Sequence, residues 1–220
     1  MRLAWADAAT SELRLGTAVE RFGAQQQRRL SALQGPAAER FVVGRELLAL
    51  VIDELEVEAV ADGERRHTGD VDLSASCQRC GGDHGALRVH GLPISVSVSY
   101  AGSTVAVAAA WQAELAAVGV DIELVPSDGP RAPLASLAAL FSPAPAPSTE
   151  EWTLLEAALK ADGRGVTVDV AQCRIEWGAA GRTVRIPGRG EPVPVETVPG
   201  PEGFVISVAA IARDAGESTC

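Results

Sequence analysis

The sequence is short of lysine: among 220 residues there is one, Lys160, against 18 arginines. One retained lysine marks a position where a compact ammonium is wanted instead of a planar guanidinium fork. Long apolar runs are also missing. None approaches the 18 or more residues of a membrane span, and the opening MRLAWADAATSEL has no basic region followed by an apolar stretch. No membrane partner is expected, and the cytoplasm is the expected location. Positive charge is in deficit too. A net charge of -10 excludes nucleic acid or an anionic membrane surface as the natural partner. Cysteine is sparse: Cys77, Cys80, Cys173 and Cys220 are too few and too scattered for a disulfide framework. A zinc site of Cys77, Cys80 and His84 with Cys173 as a distant fourth ligand is weighed against them, although structural zinc usually takes two close ligand pairs.

What is present is a soluble globular composition, 47% hydrophobic and 22% charged, with a local excess of arginine. Arg21, Arg28, Arg29, Arg40 and Arg45 fall on two expected helices and leave room for an anion site within an acidic whole. The first helix is expected over 16–33, stopped by Gly35-Pro36, and the second over 37–55. Phe41, Leu47, Leu48, Leu50, Val51 and Leu55 give the second helix its apolar stripe. Residues 62–86 read as loops with at most short strands. Strands follow at 94–100, 104–110 and 117–124, as an antiparallel meander. Six of the 13 prolines lie in 126–149, which reads as a connection around one small helix near 134–141. A helix over 148–162 has Ser148 as N-cap, Glu150 and Glu151 in its first turn and Gly163 after its end. Strands at 166–177, 182–186, 193–198 and 204–211 complete the chain. Helices followed by strands, twice over, predict an α+β pseudo-dimer: two similar halves, 1–115 and 116–220, with the active-site cleft between them.

Two motifs carry the chemistry. In VGVDIE, residues 118–123, strand alternation points Asp121 and Glu123 to one side while Val120 and Ile122 face the other. In WTLLEAALK, residues 152–160, a helix places Trp152, Glu156 and Lys160 on one stripe at i, i+4 and i+8. Each alone is common on ordinary solvated surfaces. Together they offer three carboxylates and a lysine to a hard divalent cation and a phosphate.

These residues resemble the 4'-phosphopantetheinyl transferases of the long, pseudo-dimeric type that serve polyketide and nonribosomal peptide synthetases. RFVVGRELLALVI (40–52) resembles the family's N-terminal helix, CQRCGGDHGA (77–86) its CxxCGxxHGK loop, and PISVSVSYA (93–101) its strand ending in Ser-His-Ser. VGVDIE, the FSPA of 141–144 and WTLLEAALKADGRG then follow in family order. The resemblance implies transfer of the 4'-phosphopantetheine arm of coenzyme A to a serine of an acyl or peptidyl carrier protein. It implies a Mg²⁺ held by Asp121, Glu123 and Glu156. It further implies that Glu156 activates the serine or a water, that Lys160 stabilises or protonates the departing 3',5'-ADP, and that Arg40, Arg45, His84, Arg88, Ser99 and Tyr100 contact coenzyme A. An internal active site needs no second subunit, so a monomer is expected.

The chain departs from the family where coenzyme A phosphates bind. The lysine after His-Gly is Ala86, the histidine after the strand serine is Tyr100, the lysine before the helix glutamate is Leu155, and a helix arginine is Ala49. Each charge-assisted phosphate contact is worth roughly 1.5–3 kcal/mol. Arg45, Arg79 and Arg88 stand near enough in sequence to compensate. Two other readings therefore remain open: a member of the fold repurposed for another small molecule of a specialised biosynthetic pathway, and a non-catalytic protein that docks carrier domains.

Overall fold

A computed structural model of the chain describes residues 1–13, 16–61, 71–77, 80–83, 85–179 and 181–213. It is 34% helix and 34% strand, with antiparallel sheets and segregated helices, an α+β fold. Among the described residues no helix is long and apolar enough to cross a membrane.

The first sheet has three strands in the order β1 (Arg2–Asp7), β5 (Thr104–Trp111), β4 (Ile94–Ala101). Against it lies a 27-residue helix, α3 (Gly35–Ala61), which starts at Gly35-Pro36, where proline's fixed φ suits a first turn. Leu47, Leu48, Val51, Ile52 and Leu55 of α3 pack with Val105, Val107 and Ala109 of β5 in one core. Leu50, assigned to that stripe from sequence, is 46% exposed, because 100° per residue turns it away from Leu48 and Ile52. The helix expected over 16–33 is two short ones, α1 (Thr17–Arg21) and α2 (Ala24–Ser31). They break at Gly23, whose φ of 89° is a left-handed conformation open to glycine, and whose missing side chain makes room for Asp72. A ribbon of β2 (Asp72–Ala75) and β3 (Leu87–His90) stands beside them. Neither β1 nor β3 was anticipated; both are short and lack a sustained alternation.

The second sheet has five strands in the order β6 (Leu115–Leu124), β10 (Phe204–Ala212), β9 (Val193–Val198), β8 (Gly181–Arg185), β7 (Arg174–Gly178). The expected meander of three strands is thus corrected: β4 and β5 form a hairpin, but β6 pairs along its length with β10. The strand expected over 166–177 begins only at Arg174, because 165–167 and 170–172 wind into 3₁₀ turns. Between 126 and 149 the expected small helix is a 3₁₀ turn at 135–137 running into α4 (Ala138–Phe141).

Helix α5 (Thr149–Asp162) packs across the second sheet. Its limits match the sequence reading. Ser148 Oγ accepts from Glu151 N, Glu151 reaches back to Ser148 N, and Gly163 ends the helix at φ 78°. Gly119 is why β6 lies so close to α5: a Cβ there would overlap the Ala157 carbonyl oxygen.

A third core joins the sheets. Ala101, Ala106, Ala108 and Ala110 of the hairpin meet Val118, Val120 and Ile122 of β6 and Ile206 and Val208 of β10. Along this seam β4 and β6 do not form a backbone ladder. Instead Ser95 Oγ and Ser97 Oγ accept from Val118 N and Val120 N, each at 3.0 Å. The alternating serines of β4 therefore satisfy a sheet edge that would otherwise be buried unpaired.

Candidate functional site

The next serine in the β4 series, Ser99, reaches the charged part of the seam. Its hydroxyl donates to Asp121 Oδ1 at 2.7 Å and accepts from Lys160 Nζ at 2.8 Å. Lys160 Nζ also donates to Asp121 Oδ1 at 2.6 Å and to the Val120 carbonyl at 3.1 Å. Asp121 is 4% exposed, and its Oδ2 is buried with no hydrogen-bond partner. The strand brings Asp121 and Glu123 to one side as expected, and the helix stripe Trp152, Glu156, Lys160 faces them, each half-buried among fully buried neighbours.

Electrostatics tie the group together. Burial, then the charge of Asp121, push the Glu123 carboxyl above its ordinary value; a hydrogen bond from Trp152 and the charge of Lys160 oppose that rise. Glu156 is raised by burial and by Asp121, again opposed by Lys160. Trp152, expected as packing at the helix start, stands near enough to Glu123 to oppose the rise there. It keeps an edge contact with Phe141 at 6.2 Å between ring centroids.

The three carboxylates sense one another but are not grouped as a ready-made cation cage: among the described residues no three His, Cys, Asp or Glu side chains form one. Lys160 sits on Asp121. The donor chemistry nevertheless suits a hard cation, since these are carboxylate oxygens and Asp121 Oδ2 is buried without a hydrogen-bond partner.

Glu156 and Lys160 open onto a cavity of about 1040 Å³. It runs back along β4 from Val98 to Ile94 and is closed by β3, by Trp152 and Leu159 of α5, and by residues 163–170. Arg88 lines it, is exposed, and makes no ion pair among the described residues. Arg164, not singled out from sequence, lines it too, held by Asp162 at 2.6 Å and by the Pro187 carbonyl at 2.9 Å. His90 is on the wall and bonds Ser74 at 2.7 Å.

The other expected coenzyme A contacts lie on the opposite face of β4. Arg45 is 2% exposed, yet its partners are neutral: Gln26 Oε1 at 2.8 Å and the Tyr100 hydroxyl at 3.3 Å. Its guanidinium stacks over Phe41 at 4.4 Å, with Arg29 over the same ring at 5.8 Å. Burial depresses the Arg45 pKa and the charge of Arg29 lowers it further, against Tyr100, which raises it. Arg40 donates to the Gly102 carbonyl at 2.6 Å, and Arg29 to the Asp83 carbonyl at 3.0 Å. Gly44 makes room for the tyrosine, since a Cβ there would stand 2.9 Å from the Tyr100 hydroxyl.

His84 and Arg79 lie outside the described residues, as do His67 and Cys220. Cys173 is far from acting as a ligand: it is buried in the core under the second sheet, and burial pushes its thiol up to about 11. Two of the family departures gain a physical account. Ala49 and Leu155 are buried in the two helix–sheet cores, so a cation at either would be buried in apolar surroundings. Ala86 lies on the cavity wall. Arg29 was grouped with Arg45 from the sequence, but Gln26 escaped that reading because nothing local announces that α2 folds back over Arg45. No family model matches the chain, and no curated protein matches it.

Proposed function

We propose that the protein transfers the 4'-phosphopantetheine arm of coenzyme A to a serine of an acyl or peptidyl carrier protein, with Mg²⁺ held by Asp121, Glu123 and Glu156. One observation carries this reading: a buried Asp121 oxygen without a hydrogen-bond partner lies beside Glu123 and Glu156, and Glu156 and Lys160 line a cavity large enough for a cofactor-sized ligand. The bound cation supplies charge neutralisation of a pyrophosphate.

The chain's own residues do the rest. Glu156, whose carboxyl burial holds above its ordinary value, accepts the proton of the attacking serine hydroxyl. The serine oxygen bonds to the β-phosphorus as the bond to the bridging oxygen breaks, and 3',5'-ADP leaves with that oxygen. Lys160 donates a proton or a hydrogen bond to the departing phosphate. Arg88 and Arg164 on the cavity wall are the cations available to the ligand's other phosphates.

The two-half arrangement belongs to this proposal. It is supported by two long helices, each across an antiparallel sheet, with a third core between them. The protein would act as a monomer.

A second reading, a member of the fold repurposed for another anionic small molecule, is favoured by Ala49 and Leu155. Their burial leaves no place for the cations that the family would put there. The deciding experiment is intact mass spectrometry of several apo carrier proteins incubated with this protein, coenzyme A and Mg²⁺, with Glu156→Ala as control. A phosphopantetheine adduct that vanishes in the control is the expected result. Coenzyme A binding without any adduct would rule out the transferase; carrier binding alone would identify a docking protein.

A further inference from the structure

Lys160 is the chain's one lysine, and its ammonium is fully engaged. Three protons meet three oxygens: Asp121 Oδ1 at 2.6 Å, Ser99 Oγ at 2.8 Å and the Val120 carbonyl at 3.1 Å. A carboxylate, a hydroxyl and a carbonyl converging on one point are the hard oxygen donors that a divalent cation also takes. A planar guanidinium suits such a convergent cradle poorly, which accounts for a lysine in a chain that otherwise uses arginine. Ammonium and metal thus ask for the same carboxylate. The Lys160 side chain is partly exposed on the cavity wall, with Glu156 one turn away on the same stripe, so it has an open direction in which to swing. Two positive charges near Asp121, Glu123 and Glu156 offset the mutual repulsion of the carboxylates better than one.

We propose that Lys160 is the resting counter-ion of this carboxylate group and is displaced from Asp121 when a divalent cation binds, which delivers the ammonium into the cavity only in the metal-loaded protein. The proposal rests on the metal reading above and adds an exchange to it. In the metal-free protein the ammonium is stored on Asp121. Ser99, expected from sequence as a phosphate contact, is on this account a positioning residue that holds the stored pair.

The exchange is directly readable because Lys160 and the α-amino group are the only primary amines in the chain. The full-length protein is treated with a limiting amine-acylating reagent at fixed pH and ionic strength across a Mg²⁺ titration, and the Lys160 adduct is quantified by mass spectrometry relative to the N-terminal one. Thermal unfolding is followed on the same samples. Exchange predicts that Lys160 acylation rises about tenfold, with the same midpoint as the Mg²⁺-induced rise in Tm. Ser99→Ala, which weakens the cradle without changing charge, raises acylation before Mg²⁺ is added. Lys160→Met removes the internal competitor and tightens Mg²⁺ binding by about tenfold if the pair is closed nine-tenths of the time. A Mg²⁺-induced rise in Tm with unchanged or slower Lys160 acylation would overturn the exchange and leave the metal site standing. If Mg²⁺ changes neither Tm nor acylation, the exchange and the metal reading fall together.

Discussion

Two clusters of charge flank strand β4, and they are balanced differently. On one face Lys160 meets Asp121, so the cation and one of three carboxylates are settled within the protein. On the other, Arg45 is just as buried as Asp121 but among the described residues is hydrogen-bonded only to an amide and a phenol, with Arg29 close enough to repel it. A buried charge without a counter-charge is costly, and is retained where something else supplies the partner. The carboxylate side is thus balanced by a cation of the chain itself, whereas Arg45 on the arginine side has only neutral partners among the described residues.

The comparison can be broken most forcefully at Glu156. Under the proposed chemistry Glu156→Ala lowers the rate of carrier modification by roughly 10²–10⁴-fold while the fold is kept, as read by kcat and circular dichroism. A loss of similar size in KM alone would place Glu156 in binding instead. Next comes Arg45→Met, which swaps a buried cation for an apolar chain of similar reach. Tm is expected to stay level or rise, with coenzyme A affinity unchanged, because Arg45 lies across β4 from the cavity. A marked fall in Tm would show that the guanidinium is structural. Gly119→Ala tests whether the carboxylate side depends on the close approach of β6 to α5. Overpacking against the Ala157 backbone should cost about 1–3 kcal/mol in denaturant unfolding and loosen the Lys160–Asp121 contact.

A smaller effect is expected from pH. Glu123 and Glu156 both titrate above the ordinary 4.5 in the folded protein. Between 4.5 and their raised values the native state holds protons that the unfolded chain has released, so metal-free stability should fall as pH climbs through that window. Saturating Mg²⁺ should flatten the slope, and urea midpoints at several pH values would show it. A slope that Mg²⁺ leaves unchanged would assign the raised values to burial alone.

How much of this was legible in advance differs between the two clusters. The carboxylate side was readable because its periodicities are local. Alternation in VGVDIE and the i, i+4, i+8 stripe in WTLLEAALK fix which side chains share a face whatever the rest of the fold does. The limits of α5 were readable for the same reason, since Ser148, Glu151 and Gly163 satisfy the helix ends through neighbours in sequence. The arginine side was only half visible. Arg29, Arg40, Arg45 and Tyr100 were singled out, but Gln26 was not; it and Arg29 come from a helix broken at Gly23, and their approach depends on contacts 19 residues and more apart in the chain. The misplaced partner of β6 has a similar cause: a hairpin-like spacing invites pairing with β5, and nothing local reveals that β10, some 80 residues later, offers a longer apolar match.

The sequence by itself determined which residue types were available and how each local element would present them: one lysine, paired acids on a strand, an acid and a base on one helical face. Only the tertiary structure decided that Lys160 closes on Asp121, that the serines of β4 satisfy the edge of β6, and that Arg45 is buried against an amide and a phenol. The physical reason is range. Strand and helix periods are set by backbone geometry within a few residues. Charge balance and the pairing of buried polar groups are settled only when distant segments exclude water from the same place.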